Sequence, residues 1–297
     1  RDCLLSRGLG DVYKRQVHAE DEDRMNERRK LVEGRTDVAA HAFYRDDITA
    51  LLATKLSVEL AHKTGHRLHI LHLTSGIEAD FLTDHCNLPS KTEGHPIITT
   101  EVLPQHLTFD ETDVDEQGVR LQMNPPIRYK MDREILWKRL IDGTIQCIAT
   151  DHAPHTLEAK AKGFPNAPSG MPGVETSLAV MLNYVNQGKC SIEDVVRWMS
   201  SNVADCYRMI GKGKLEVGYD GDIVLVDMNH SAVVEDENSW TRVGWNPFRG
   251  RKLTGWPVLT VVEGIPVFER SAGTGQKGRL LVEPGAVGKP LLMEPWK

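Results

Sequence analysis

The sequence has no block of Lys and Arg that could serve as a nucleic-acid footprint, and its formal net charge is −6. No apolar run approaches the ~20 residues of a membrane-spanning helix. The first residues lack the apolar segment and small-residue ending of a secretory signal. Cysteine is scarce, with 5 residues and no C-x-x-C pair, and the count is odd. Reduced thiols in a cytoplasmic protein are therefore expected. There is no G-x-G-x-x-G turn and no P-loop, so nothing here cradles a nucleotide phosphate. No local signature marks a Ser or Cys nucleophile, and no internal repeat is visible. What remains is a chain of 297 residues, a length that suits one barrel-sized domain with a smaller appendage.

Three apolar runs end in residues that bind metals. They are Val17-His18-Ala19-Glu20, Leu68-His69-Ile70-Leu71-His72-Leu73, and Ile145-Gln146-Cys147-Ile148-Ala149-Thr150-Asp151-His152. Between them lie helix-like stretches. Asp46–Ala61 carries Ile48, Leu51, Leu52, Leu56 and Leu60 at helical spacing, with Asp46 or Asp47 placed to cap its start and Gly65 past its end. Ser75–Cys86 and Asp132–Ile141 read as helices, and Pro96–Val102 as a strand. The acid-rich stretch from Asp110 to Glu116 reads as a loop. Alternation of this size predicts a parallel α/β architecture, and ligand-type residues at successive strand ends are how a (β/α) barrel builds a metal site. Gly163–Gly173 is rich in Gly and Pro and reads as a loop, followed by helices over Glu175–Asn186, Ile192–Ser200 and Val203–Ile210. From Gly213 short β-rich runs take over, at Asp222–Asp227, Val258–Glu263 and Ile265–Phe268, the last two joined at a Glu263-Gly264 turn.

His18, His72 and Asp151 are the candidate metal ligands, since neutral imidazoles and one carboxylate suit Zn²⁺ or Mn²⁺. His69 and His72 are three apart, so strand parity puts them on opposite faces; His72 is nearer the strand end and is preferred. Asp151 can both touch a metal and carry a proton to a leaving nitrogen, acting as base and then acid. A helix-capping role is the alternative, and the following Ala-Pro argues against it. Asn124, in the rigid Asn124-Pro125-Pro126-Ile127-Arg128 turn, either points into a substrate pocket or merely ends a turn. His155 is a further substrate-binding candidate. Glu101 and His106 flank another strand end, either orienting the ligands or lying on the surface. The glycines of Ser169-Gly170-Met171-Pro172-Gly173 either bring backbone amides close to a ligand or belong to a loop with no role.

These segments resemble the dihydroorotases of the amidohydrolase superfamily from about Val17 to Phe268. The most specific match is Ile148-Ala149-Thr150-Asp151-His152-Ala153-Pro154-His155-Thr156, with Glu158 and Lys160 beyond it. Met123–Arg128 and Gly170–Thr176 add to it. Hydantoinases and allantoinases share the general layout. The resemblance implies a distorted TIM barrel with a β-sandwich, and a binuclear zinc centre that opens the cyclic amide of dihydroorotate or closes carbamoyl-aspartate in pyrimidine synthesis. It implies that His18 and His72 are ligands on the fifth and sixth strands. Asp151 becomes the eighth-strand ligand and general acid/base, and Asn124 and His155 become substrate binders.

The family's first strand also carries a His-x-His pair, its fourth a bridging lysine or aspartate, and an early arginine and asparagine hold the substrate carboxylate. None is found here, and no His-x-His occurs in the chain. The expectation is thus the C-terminal half of a TIM barrel with a small β-sandwich portion, and little turnover by the chain itself. Residues 1–16 read as a non-native joint, 17–212 as the partial barrel, 213–270 as the sandwich portion and 271–297 as a poorly ordered tail. An open half-barrel exposes an edge that favours dimerisation. Two rivals are a non-catalytic scaffold descended from the same family and a hydantoinase- or allantoinase-type enzyme.

Overall fold

The computed structural model describes residues 14–86, 96–271 and 277–293. Four parallel strands, β1 (Arg15–Val17), β2 (Leu68–Ile70), β3 (Ile98–Val102) and β4 (Cys147–Ile148), form one sheet in the order β1-β2-β3-β4. Arg15 lies opposite Leu68, Leu68 opposite Ile98, and Val102 opposite Ile148. The four C-terminal ends therefore share one rim. Helices α1 (Glu22–Arg29), α2 (Ala39–Tyr44) and α3 (Asp47–Thr64) connect β1 to β2, and α4 (Gly76–Leu82) connects β2 to β3. Then α5 (Pro104–Thr108), α6 (Glu111–Gln117) and α7 (Lys130–Ile141) lead to β4. Beyond it lie α8 (Leu157–Lys160), α9 (Ser177–Asn186), α10 (Ile192–Val196) and α11 (Asn202–Tyr207). Every residue of β2 and β3 is buried, as in a parallel sheet covered on both faces. Ile70, Ile98, Leu103, Leu107, Leu121 and Met123 are core residues around it.

Helix α3 forms where the capping pattern places it. Asp46 accepts a hydrogen bond from the Thr49 amide, and Gly65 closes the helix at φ 71°. Its buried face is not the leucine stripe, however. Ala50, Thr54, Val58 and Ala61 pack inward, while Leu52, Leu56 and Leu60 are exposed. The stretch expected as an acidic loop is instead α6. Asp110 caps it and Asp113 returns the bond to the Asp110 amide, a reciprocal arrangement that satisfies two otherwise unpaired donors. Strand β1 begins at Arg15, inside the segment read as a foreign joint, and pairs with β2. Residues 1–13 lie outside the described residues.

A second, antiparallel sheet holds β5 (Ile223–Val233), β6 (Lys252–Val262), β7 (Ile265–Glu269) and β8 (Arg279–Leu280) in that order. Glu263 and Gly264, both at positive φ, make the two-residue β6–β7 turn. Helix α9 lies on β6, where a Cβ on Gly255 would stand 2.7 Å from that of Leu182. Asn183 and Asn186 hydrogen-bond to the backbone of Thr254 there. Residues 271–297 were expected to form a loose tail; yet β8 falls among them, paired with the exposed edge of β7.

Candidate active site

The rim of the parallel sheet carries the candidate residues. His18 follows β1, His72 follows β2 and Asp151 follows β4, so strand order alone brings them to one end. His18 Nδ1 and His72 Nε2 face each other at 3.0 Å. His72 and Asp151 both adopt positive φ, 36° and 41°. Non-glycine residues are held in that region only where the surroundings over-determine them, and such places cluster at functional sites. Strand β2 stops at Ile70, so the parity argument that separated His69 from His72 ends before it reaches His72.

The His18 ring is braced from behind. Its Nε2 lies 2.6 Å from Glu20 Oε2, and Glu20 is in turn gripped by Arg45, whose Nε donates to Oε1 at 3.1 Å. Burial alone would raise the Glu20 carboxyl; hydrogen bonds from His18 and Arg45 win and hold it at about 2. Burial, with the neighbouring His18, lowers His72 to about 3, so its imidazole is neutral, as a metal ligand must be. The buried His72 Nδ1 has no hydrogen-bond partner. Asp151 is raised above the ordinary carboxylate range, chiefly by desolvation, with His18 opposing and Glu101 adding to the rise.

Glu101 spans the two histidines of the second strand segment. Its Oε2 lies 3.0 Å from His69 Nε2, and its Oε1 accepts from the His72 amide at 3.4 Å. His106 is buried, with Nε2 3.3 Å from the Pro125 carbonyl and Nδ1 unpartnered; burial lowers it to about 3. Neither residue lies on the surface. Asn124 lines a cavity of about 760 Å³ together with Gln122, His41, Arg45, Arg29 and Lys30. His155 Nε2 sits 3.2 Å from the Ser169 carbonyl, and the His155 carbonyl accepts from Trp245 Nε1 at 2.7 Å.

The glycines of the 169–173 loop serve a close approach, but to protein. A Cβ on Gly170 would stand 2.5 Å from the Ala153 carbonyl, and one on Gly173 2.7 Å from that of Thr150. The loop pairs with the segment after Asp151 through Ala153 N to Met171 O at 3.1 Å and Gly173 N to His152 Nδ1 at 3.1 Å. Sequence reasoning missed Glu20 and Arg45. The signal for Glu20 was its place two residues after His18; Arg45 lies too far along the chain to show itself. It also missed Arg128, whose Nε donates to Thr74 and whose Nη1 donates to the Arg45 carbonyl, tying the Asn124 turn to the rim.

The sequence profile of the Amidohydrolase family matches residues 12–267. This chain belongs to the amidohydrolase family. Among similar amidohydrolase sequences, a dihydroorotase of Halobacterium salinarum is 35% identical over 94% of this chain and 62% of its own length. One of Anoxybacillus flavithermus is 36% identical over 73% of this chain and 49% of its own. In three dimensions the chain is similar to the L-hydantoinase (dihydropyrimidinase) from Arthrobacter aurescens. The TM-score is 0.81 at 30% identity, covering 90% of this chain and 58% of that one. A dihydropyrimidinase from Brevibacillus agri gives 0.77 at 28% identity, over 85% and 56%. This chain thus spans about half to three-fifths of the length of these relatives.

Amidohydrolase membership implies metal-dependent chemistry, and the histidine pair fits it. Two nitrogens bound at ~2.0–2.1 Å to one tetrahedral ion stand about 3.3 Å apart, close to the 3.0 Å between His18 and His72. Among the described residues no group of three or more His, Cys, Asp or Glu side chains is gathered closely enough to hold an ion. Also among them, no helix is long and apolar enough to cross a membrane.

Proposed function

We propose that this chain is the metal-binding and proton-transferring part of a dihydroorotase, which reversibly hydrolyses the cyclic amide of dihydroorotate to carbamoyl-aspartate. One observation carries the reading: His18 Nδ1 and His72 Nε2 meet at 3.0 Å on a rim that also carries Asp151. The dihydroorotase relatives supply the substrate. We take residues 17–212 as the C-terminal part of a TIM barrel, 213–270 as part of a β-sandwich and 271–297 as its tail, with dimerisation through the open sheet edge.

His18 and His72 would hold zinc, with Asp151 on the same rim as the proton carrier. Zinc held there would supply Lewis acidity toward water and the amide carbonyl. Asp151 takes a water proton and delivers it to the departing ring nitrogen, so the ureido group leaves neutral. Glu20 and Arg45 fix the His18 ring, and Glu101 fixes the backbone at His72, which keeps both nitrogens aimed. Asn124 and His155 bind the substrate from the cavity side and the loop side. The chain has no His-x-His, so the binuclear site is incomplete and turnover by the chain alone is expected to be very low.

The test is a chimera in which the N-terminal half of the Halobacterium salinarum dihydroorotase precedes Val17. With zinc present it should consume dihydroorotate, followed by its ultraviolet absorbance, and Asp151→Ala should abolish turnover while zinc stays bound. His155→Ala should mainly raise KM. The similarity to hydantoinase structures favours a second reading, a cyclic ureide without the carboxylate. A chimera that opens hydantoin in preference to dihydroorotate would establish that reading, and one that binds zinc but opens neither would establish the scaffold.

A further inference from the structure

We propose that the groove between α5, α7, α9 and the start of β6 is a second binding site, one that takes the phosphate monoester of a sugar-sized molecule. The groove encloses about 380 Å³, within the roughly 300–1,000 Å³ of small-molecule pockets. Four cationic side chains line it: Arg133 of α7, Lys189 just beyond α9, and Arg251 and Lys252 where β6 begins. No carboxylate is among its lining residues. Arg133 pairs with Asp110 at 2.7 Å, and Arg251 pairs with Asp113. Both aspartates stand at the start of α6, outside the lining. Lys189 and Lys252 have no ion pair among the described residues. The groove thus carries two positive charges in excess. A phosphate monoester, with a charge of about −1.5 to −2 at neutral pH, matches them.

The local structure fixes these donors. The Lys189 amide bonds the Tyr184 carbonyl at 3.0 Å in the turn that ends α9. Its ammonium lies 4.5 Å from the Tyr184 ring centre and 5.4 Å from that of Trp137. Ring faces hold a cation without neutralising it. Burial, then the like charge of Arg133, lowers the Lys189 ammonium below its ordinary value; an anion in the groove opposes the second effect. Asn183 spends its side-chain oxygen on the Thr254 amide at 3.0 Å, which leaves its NH₂ to donate. Guanidinium, ammonium and amide NH₂ groups are all donors, the complement of phosphate oxygens. A bare ion would leave most of the groove empty, and the walls are more polar than apolar, so the phosphate comes on a hydroxylated body. None of the lining residues is His18, His72, Asp151, Asn124 or His155, so this site is separate from the rim.

The experiment titrates the whole chain with ribose 5-phosphate by calorimetry, with ribose and inorganic phosphate in parallel. One ribose 5-phosphate is expected per chain, with an affinity that falls as salt rises. Ribose should give no binding heat, and inorganic phosphate should bind at least about tenfold more weakly. Lys189→Met and Lys252→Met should each weaken ribose 5-phosphate about tenfold, the scale of one lost charge-assisted hydrogen bond. Both lysines are exposed, so the substitutions spare the core. Lys30→Met, in the larger cavity that carries Asn124, should leave the affinity unchanged. Binding lost in Lys30→Met but kept in Lys189→Met would place the anion in that cavity and overturn the proposal. Inorganic phosphate bound as tightly as ribose 5-phosphate would mean an adventitious ion only, and would overturn it too, as would no binding of ribose 5-phosphate. The comparison of the three ligands needs no variant, so the test stands even if a substitution prevents folding.

Discussion

In β2 and β3 every residue is buried, whereas β5 opens with Ile223, Val224 and Leu225 at 38%, 46% and 47% exposure. Both regions are rich in β-branched and aliphatic residues, so composition does not separate them. What separates them is cover. The parallel strands have helices on their faces, and their polar residues lie within a packed structure at one end, where each must find a partner or a purpose. There the chain holds a buried carboxylate gripped by an arginine, two facing imidazoles and two non-glycine residues at positive φ. The antiparallel strands leave apolar side chains in water and, among the described residues, gather no comparable polar cluster. The polar cluster of this molecule follows burial at a strand end, and a β-rich sequence by itself does not mark it.

That contrast can be broken by substitution. The largest effect is expected at the rim. Arg45→Ala leaves Glu20, whose carboxylate is inaccessible, without its guanidinium partner. Breaking a buried pair from one side costs about 3–5 kcal/mol, read as a lower urea midpoint at unchanged slope. A loss below about 1 kcal/mol, the range of surface pairs, would show that Glu20 is not buried as described.

The pH dependence of stability in metal-free protein gives the next effect. Glu78 is fully buried beside Thr54 and is raised by burial to about 7 from an ordinary 4.5. The folded carboxyl keeps a proton that the unfolded chain loses, so stability falls as pH rises from 4.5 to about 7. His41 and His106, lowered by burial to about 3 from 6.5, act in the other sense. Their contribution is complete above pH 6.5 and is lost as pH falls toward 3. Glu78→Gln removes the opposing effect. It should stabilise the protein by about 1–3 kcal/mol at pH 8 and steepen the acid loss below 6.5, both read from urea midpoints across pH. An unchanged pH profile would remove Glu78 from the account.

The smallest effect sharpens the comparison within one helix. Val58, at 2% exposure, should cost about 1–3 kcal/mol on truncation to Ala. Leu56, at 57%, should tolerate Lys within about 0.5 kcal/mol. A larger loss from Leu56→Lys, together with a change in sedimentation, would show that the exposed leucines of α3 are covered by a second copy.

The helix itself was legible in the sequence because Asp46 and Gly65 bracket it. Its buried face was not: leucine spacing predicted the wrong side, since small residues allow α3 to approach its neighbours closely while the long ones stay outside. The strand ends were legible as apolar runs closing on His18, His72 and Asp151. The length of β2 was overestimated, because the strand stops at Ile70, and His72, two residues on, has left the extended region. Helix α6 was hidden by its acidity, although Asp110 and Asp113 carry its capping pattern. The brace of Glu20 and Arg45 was invisible, since 25 residues separate the partners and only the fold joins them.

The central claim is that His18 and His72 form one half of a metal seat. Calorimetric titration of the chelator-stripped chain with Zn²⁺ tests it most directly. The account predicts one weak site per chain, with at least about a tenfold loss of affinity on His72→Ala and a similar loss on His18→Ala. Zinc binding unchanged in both variants would contradict it.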